Sequence, residues 1–167
     1  MRNAKPKDAD ELARTHVLAW QQAYKNVVPD TYLRNLDPIH RATLWQEVLN
    51  ADAAEVLLDT VDGDSIAGFA AFGRARDEDC DASCAELAAI YYLEEHWGSG
   101  RAQALWNQVA SRLKNQQYSR VVLWVLAEND RAIRFYDRNG FVPDGKERTE
   151  ELGGKELVEI RMATRIT

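Results

Sequence analysis

Residues 124–141 decide the fold and have the sequence Trp-Val-Leu-Ala-Glu-Asn-Asp-Arg-Ala-Ile-Arg-Phe-Tyr-Asp-Arg-Asn-Gly-Phe. The stretch begins within a continuous apolar run, Val121–Leu126, as expected for a strand that is buried on both faces. Asn129 is a favourable helix N-cap, and Gly140 is typical of the position just beyond a helix end. The stretch therefore predicts a buried strand followed by a helix over Asn129–Asn139.

A second strand–helix unit precedes it. The strand candidate Glu86–Leu93 leads through a glycine-bearing turn, Gly98-Ser99-Gly100, into an amphipathic segment that reaches about Gln117. Glycines let a backbone approach a ligand closely, and the free N–H groups of a helix start attract phosphate. The spacing matches neither the dinucleotide-binding fingerprint nor the Walker loop. On the glycines alone, a plain strand–helix connection explains the turn equally well.

The remaining chain completes a mixed pattern of helices and strands. Helical spacing covers Asp8–Tyr24, and one short and one longer helical segment follow up to about Asn50. Strand candidates are Glu55–Val61 and Ser65–Arg74, joined by a turn at Asp62-Gly63-Asp64, and two final strands around Phe141 and over Leu157–Met162, joined by a turn at Gly153-Gly154. This order predicts an α/β (α+β) fold, and the length of 167 residues predicts a single domain over residues 1–167.

Composition narrows the possible partners. A net charge of −6 disfavours a nucleic-acid partner, which usually requires a basic surface. No signal peptide is recognisable and no apolar stretch approaches the roughly 20 residues that cross a bilayer, so no membrane association is expected. Cys80 and Cys84 form a poor zinc signature, and free thiols in a reducing cytosol are the favoured interpretation. We therefore expect a cytoplasmic protein without a metal.

Taken together, the two strand–helix units resemble the signatures of the GNAT superfamily of acetyl-CoA-dependent N-acetyltransferases. In that family an Asn after the end of a strand begins a helix that contains Ala-Ile-x-x-Tyr, and Gly-Phe follows the helix. Residues Asn129–Phe141 show the same order here. The earlier turn is similar to the family's pyrophosphate loop, with Gly100 and Ala102 in place. The resemblance, strongest over Glu86–Phe141, implies a single GNAT-like domain whose mixed central β-sheet is flanked by helices and splayed between its fourth and fifth strands.

The resemblance also implies acetyl-CoA as co-substrate, lying in a V-shaped gap between the Glu86–Leu93 and Val121–Leu126 strands. The implied cofactor-binding residues are Ile90, Tyr92, Trp97, Gly98, Ser99, Gly100, Arg101, Ala102, Asn129 and Tyr136. Plain N-capping is an equally good interpretation of Asn129. Trp97 and Glu94 depart from the pattern, because the family usually has Gln or Arg at the first position and often Pro at the second.

Two residues match catalytic positions of the family. Tyr136 matches the usual general acid, which protonates the departing thiolate, although an aromatic core residue would show the same spacing. Glu86 matches a position where many relatives place a carboxylate base, acting directly or through water, and a solvated surface carboxylate is its alternative. His96 is a rival base by residue type. The implied function is direct acetyl transfer to an amine of a small molecule or a protein; the alternative is a non-catalytic CoA-binding regulatory module on the same fold.

The acceptor amine is expected to bind in the early helical region, at Trp20, Tyr24 and Tyr32, which similar proteins fold over the acetyl group. The acidic loop Asp77–Asp81 favours an acceptor with an additional positive charge, unless the loop is simply solvated. Dimers are frequent among similar proteins, so a homodimer is a further expectation.

Overall fold

The computed structural model describes residues 1–63 and 65–166. The predicted turn at Asp62-Gly63-Asp64 and the predicted domain each include one residue outside these ranges, Asp64 and Thr167. The helices are α1 (Ala9–Ala23), α2 (Asp30–Arg34), α3 (Pro38–Asn50), α4 (Arg101–Asn115) and α5 (Asp130–Arg138). The strands are β1 (Arg2–Asn3), β2 (Glu55–Val61), β3 (Ser65–Arg74), β4 (Cys84–Tyr92), β5 (Arg120–Leu126), β6 (Val142–Leu152) and β7 (Lys155–Arg165). None of the helices in these ranges is long and apolar enough to cross a membrane.

The strands form one mixed sheet in the order β1-β2-β3-β4-β5-β7-β6. All neighbouring strands are antiparallel except β4 and β5, which run parallel. This arrangement confirms the predicted fold class. The two-residue strand β1, which pairs with Leu57 and Leu58 of β2, is too short to leave a sequence pattern and was not predicted.

The two parallel strands pair over three residues only. Cys84, Ala85 and Glu86 of β4 lie opposite residues 120–122 of β5, and the ladder stops there. On the other side of β4 the register with β3 shifts at the same level, because Leu87 lies opposite Phe72 and residue 89 lies opposite Ala71. One extra residue, at position 88, therefore makes a β-bulge, which bends a strand and changes the side to which its backbone groups point. The predicted splay between β4 and β5 begins at this bulge.

Side chains of alternating strand positions fill two cores, one on each face of the sheet. Leu57 and Phe72 point into a core shared with α4, whereas Val56, Leu58 and Phe69 point into a core shared with α1 and α3. Helix α4 contributes Leu105, Trp106, Val109 and Leu113, whose spacing of one, three and four residues makes a continuous apolar face. The sheet is thus held between α4 on one side and α1 with α3 on the other.

The β6–β7 hairpin closes against the early helices. Its turn residue Gly153 has φ +60°, and a side chain there would come within 2.8 Å of the Cβ of Tyr32 in α2. Lys155 donates a hydrogen bond of 2.9 Å to the carbonyl of Val27 and pairs with Glu128. The hairpin therefore fixes the segment around α2 over the open end of β5.

A buried arginine binds carboxylates of the acidic loop Asp77–Asp81. Arg161 of β7 is 2% exposed, and its guanidinium bonds to carboxylate oxygens of Asp77, Asp79 and Asp144 at 2.7–3.1 Å. Trp124 adds a 3.2 Å hydrogen bond from its indole N–H to Asp77. The carboxylates of Asp77 and Asp79 are thus bound within the chain, which does not favour the expected attraction of a cationic acceptor.

Candidate active site

A cleft opens where β4 and β5 part. It has a volume of about 560 Å³ and is lined by the unpaired halves of both strands, the start of α4 and one face of α5. Eight of the ten predicted cofactor-binding residues line it: Ile90, Tyr92, Trp97, Gly98, Gly100, Ala102, Asn129 and Tyr136. The two strand–helix units recognised in the sequence therefore meet at one place.

Unpaired main-chain groups of β4 face this cleft. The N–H of Leu93 donates to the carbonyl of Ala67 in β3, so the backbone of residue 93 points away from the cleft. Because successive residues of a strand point their polar groups to opposite sides, those of Tyr92 and Ile90 point into it. The indole N–H of Trp97 donates a 2.9 Å hydrogen bond to the Tyr92 carbonyl, in agreement with this direction.

The glycine turn before α4 presents backbone donors to the cleft. Gly98 and Gly100 have φ +71° and +83°, conformations that favour glycine, and a Cβ at either position would meet no atom within 4 Å. Gly100 is the N-cap of α4, so the first N–H groups of this helix have no partner within the helix. The turn therefore leaves open space in front of free donors, as a site for a phosphate requires.

Ser99 and Arg101, also predicted to bind the cofactor, have partners elsewhere. The Ser99 hydroxyl donates to the carbonyl of His96 at 2.6 Å. The Arg101 guanidinium pairs with Asp59 of β2 at 2.9 Å, and the Tyr92 hydroxyl donates to the same carboxylate at 3.1 Å. Both side chains are thus bound within the protein, and the Arg101 N–H makes a further 3.5 Å hydrogen bond to the Ser99 hydroxyl.

Asn129 caps α5 and also lines the cleft. Its side-chain oxygen accepts a 3.2 Å hydrogen bond from the N–H of Ala132, so it is the N-cap of α5. The amide nitrogen of the same side chain has no hydrogen-bond partner among residues 1–63 and 65–166, and Asn129 lines the cleft. Capping uses the oxygen and leaves the nitrogen available to donate to a ligand.

Tyr136 lies seven residues after Asn129, about two turns further along α5. The side chain is 9% exposed, lines the cleft and packs against Phe135 and Phe141, with ring centroids 5.5 and 5.7 Å away. Its hydroxyl makes no hydrogen bond to the described residues. Burial, with a smaller contribution from Tyr91, raises the pKa of Tyr136 above its ordinary value. The hydroxyl therefore stays protonated at neutral pH and is suited to donate a proton rather than to accept one.

Glu86 is the last residue of β4 that pairs with β5 before the two strands part. It is 8% exposed and does not line the cleft, and both carboxylate oxygens accept 2.9 Å hydrogen bonds from Arg76. This bidentate ion pair holds the carboxylate in place and reduces its access to an acceptor amine. Its role as a base stays a prediction.

Comparison with known proteins agrees with this geometry. The sequence model of the Acetyltransferase (GNAT) family matches residues 16–141. The chain belongs to the GNAT acetyltransferase family. It is 30% identical to the N-acetyltransferase YuaI of Bacillus subtilis, over 96% of this chain and 89% of that protein.

Solved structures share the GNAT fold along the whole chain. The crystal structure of ribosomal-protein-alanine N-acetyltransferase from Brucella melitensis has a TM-score of 0.75 and 21% identity, and covers 98% of each chain. PaiA N-acetyltransferase from Thermoplasma acidophilum, solved in complex with coenzyme A, has a TM-score of 0.71 and 18% identity, and covers 98% of this chain and 96% of that one.

Trp97 is the departure from the family pattern that reshapes the mouth of the cleft. Besides its bond to the Tyr92 carbonyl, its ring is stacked on the guanidinium of Arg131, whose central carbon lies 3.2 Å from the ring centroid. At the sequence position where the family usually has Gln or Arg, this protein therefore presents the flat apolar surface of an indole ring. A cation on α5 lies against that surface.

The predicted acceptor residues separate into two groups. Tyr24 lines the cleft, and its hydroxyl shares a 2.7 Å hydrogen bond with the hydroxyl of Tyr91, a cleft residue that the sequence did not single out. Trp20 packs edge-on against Tyr24 at 5.0 Å, and its buried indole N–H has no partner in the described part of the chain. Tyr32 lies under the Gly153 turn and does not reach the cleft. Of the three, Tyr24 is thus the residue that lines the cleft.

His16 lies beneath these tyrosines, in the core between α1 and the sheet. Its Nδ1 atom accepts a 3.2 Å hydrogen bond from the indole N–H of Trp45, and aromatic rings surround it. Burial, together with a smaller contribution from the charge of Arg41, lowers the pKa of His16 from 6.5 to about 3. The imidazole is therefore neutral in the folded protein and is a structural residue.

This burial predicts a loss of stability in acid. Between pH 6.5 and about 3 the unfolded chain binds a proton at His16 that the folded chain does not, so the free energy of unfolding falls as the pH falls. From pH 7 to 5.5 we expect this residue to lower it by roughly 1 kcal/mol. Urea titrations at both pH values should show a smaller decrease for His16→Gln, which keeps an acceptor for Trp45. Equal decreases in the two proteins would contradict the assignment.

One group of side chains has the composition of a metal site. Ligand atoms of Asp77, Asp79 and Cys80 lie within 4.8 Å of one another. However, both carboxylates already accept hydrogen bonds from Arg161, and the Cys80 sulfur lies 3.0 Å from that of Cys84. The structure thus gives these atoms partners within the protein.

Proposed function

We propose that this protein is one acetyl-CoA-dependent N-acetyltransferase domain that transfers an acetyl group directly to an amine. The observation that carries the proposal is the convergence of three features on one cleft: unpaired strand backbone, an open helix N-terminus and the buried hydroxyl of Tyr136. The CoA complex of the similar PaiA protein supports the assignment of the cleft to acetyl-CoA. The features lie on three separate elements, and a plain strand–helix connection requires neither the parted strands nor a tyrosine beside them.

The cleft residues fit acetyl-CoA. The backbone groups of Ile90 and the N–H of Tyr92, whose carbonyl accepts from Trp97, would pair with the amides of an extended pantetheine arm, as a neighbouring strand would. The donors from Gly98 to Ala102 would hold the diphosphate, and the free amide nitrogen of Asn129 would donate to the arm. When bound, acetyl-CoA supplies an acetyl thioester, so attack by an amine forms an amide and releases the CoA thiol. Tyr136 donates the proton that the departing sulfur requires.

The amine must arrive without its extra proton or lose it in the site. Glu86 is the carboxylate that the family pattern proposes for this task. Each of its oxygens accepts one hydrogen bond from Arg76 and retains a lone pair for a water molecule. Since Glu86 does not line the cleft, we propose that it acts through water rather than by direct contact.

The variant Glu86→Gln tests this role. Loss of the base should lower kcat/KM by at least about tenfold and remove the ionisation that limits the rate on the acid side of the pH profile. Arg76→Gln is the matched comparison, because it breaks the same ion pair but keeps the carboxylate. If both variants lower kcat/KM equally and leave the pH profile unchanged, Glu86 is structural.

The activity itself is tested by release of CoA thiol. Purified protein should release thiol from acetyl-CoA in steady state when an amine from a panel of amino acids, polyamines, aminoglycosides and peptides is present. A protein that binds CoA but releases no thiol with any of these amines would instead be a non-catalytic CoA-binding module.

We propose that the acceptor enters the cleft beside Tyr24, and that Trp20 and Tyr32 support the cleft wall at Tyr24 from behind.

We further propose a cytoplasmic protein with an amine acceptor, no nucleic-acid partner and no metal, which forms a homodimer. Two free thiols, at Cys80 and Cys84, support a reducing compartment, and the net charge of −6 argues against nucleic acid. Multi-angle light scattering of the purified protein measures the oligomeric state, and elemental analysis measures bound metal.

A further inference from the structure

One face of α5 places three arginines in the cleft. Arg131, Arg134 and Arg138 are spaced by three and four residues, so they lie in a row along the helix, and all three line the cleft. All three are exposed, and none has a carboxylate within 4 Å among the described residues. We call them the α5 arginine row.

The charge of the cleft is opposite to that of the protein. The chain carries a net charge of −6, yet the cleft wall formed by residues 1–63 and 65–166 contains no aspartate or glutamate. The charged residues of this wall are the three arginines. In a protein with more carboxylates than basic groups, a cleft of 560 Å³ with one sign of charge indicates an anionic ligand.

The turn before α4 does not provide side-chain charge of its own. Its arginine, Arg101, pairs with Asp59 and does not line the cleft, and Trp97 replaces the polar side chain of the family pattern. Trp97 instead holds Arg131 by stacking. Burial lowers the pKa of Arg131, and the charge of Glu94, which forms no ion pair with it within 4 Å, opposes this shift only in part. Such a group gains more from a bound anion than a solvated one does.

We infer that the α5 arginine row binds the phosphates of the acetyl-CoA co-substrate and takes the place of the side-chain contact that the turn before α4 lacks. This inference rests on the proposed function and deepens it. The backbone donors of Gly98–Ala102 bind the diphosphate, and the row supplies the positive charge that a ligand with several phosphate charges requires. It selects phosphorylated CoA thioesters over the same pantetheine thioester without phosphates.

Calorimetric titration with CoA and with pantetheine, which lacks all phosphates, tests the inference without an activity assay. We expect the triple variant Arg131→Gln, Arg134→Gln, Arg138→Gln to bind CoA roughly 100-fold more weakly, at about fivefold per arginine, and to bind pantetheine as the wild type does. The salt dependence of the CoA Kd should also become shallower. A control triple variant, Arg14→Gln, Arg34→Gln, Arg165→Gln, makes the same change in net charge outside the cleft and should keep its CoA affinity.

Each other outcome decides against the inference. A loss of CoA affinity smaller than about fivefold in the triple variant, or an equal loss for CoA and pantetheine, would overturn it. If the triple variant does not fold, the single variants Arg134→Gln and Arg138→Gln carry the test, since both side chains are exposed. If the wild type does not bind CoA, the proposed function and the inference both fail. The titration of the wild type alone distinguishes this outcome from failure of the inference only.

Discussion

Tyr136→Phe is expected to lower kcat by roughly 10²–10⁴-fold while the affinity for acetyl-CoA changes little. The substitution removes one oxygen atom and keeps the ring that packs against Phe135 and Phe141. No hydrogen bond of the described residues is lost, because the Tyr136 hydroxyl makes none, so the fold should not change. The loss is therefore confined to the step in which the departing sulfur takes a proton. Steady-state release of CoA thiol measures kcat, and calorimetry measures affinity.

A matched control is available in the same cleft. Tyr24→Phe also removes a buried hydroxyl, but this hydroxyl already bonds to Tyr91 and is not assigned to proton transfer. We expect a much smaller change in kcat for Tyr24→Phe than for Tyr136→Phe. An unchanged kcat in Tyr136→Phe, under conditions in which chemistry limits the rate, would leave Tyr136 as a core aromatic residue.

Gly100→Val is expected to weaken binding of CoA by at least about 100-fold. Gly100 has φ +83°, a conformation that a β-branched residue adopts only with strain, so the turn must change shape. The new side chain would also enter the open space in front of the helix N-terminus. Both effects remove phosphate from the backbone donors. The measurement is the rise in melting temperature that CoA causes, which should disappear in the variant.

Strain alone must be separated from loss of the site. Gly145 has φ +87° with open space at its Cβ position, and it lies in β6 outside the cleft. Gly145→Val therefore imposes a similar backbone strain without touching the cofactor site. If Gly145→Val loses the CoA-induced stabilisation as fully as Gly100→Val does, the α4 turn is not the phosphate site.

The sequence predicted the regular elements well because their patterns are local. The apolar run that became β5 is buried on both faces, and Asn129 caps α5 as its position indicated. The family signatures also selected residues that lie close together, since eight predicted cofactor-binding residues line one cleft. These features depend on periodicity, caps and glycines within a few residues of one another.

The partners of individual side chains were not predictable in the same way. Arg101 pairs with Asp59, 42 residues away, and Arg76 with Glu86 across the end of β4, so neither pair has a local signature. The bulge at Ala88 also leaves no signal, because a small residue fits either a regular strand or a bulge. The α5 arginine row could have been found from its helical spacing, but only the fold shows that this face meets the cleft.

The bulge at Ala88 has a consequence for how such a protein tolerates sequence change. The extra residue lies where the ladder between β4 and β5 ends, and the main-chain groups of β4 beyond it face the cleft. Main-chain donors and acceptors survive most substitutions, so this part of the cleft tolerates changes in the side chains around it. We expect deletion of Ala88 to restore the regular alternation of β4 and to favour its pairing with β5 beyond Glu86. The opening of the cleft is therefore expected to depend on this one residue.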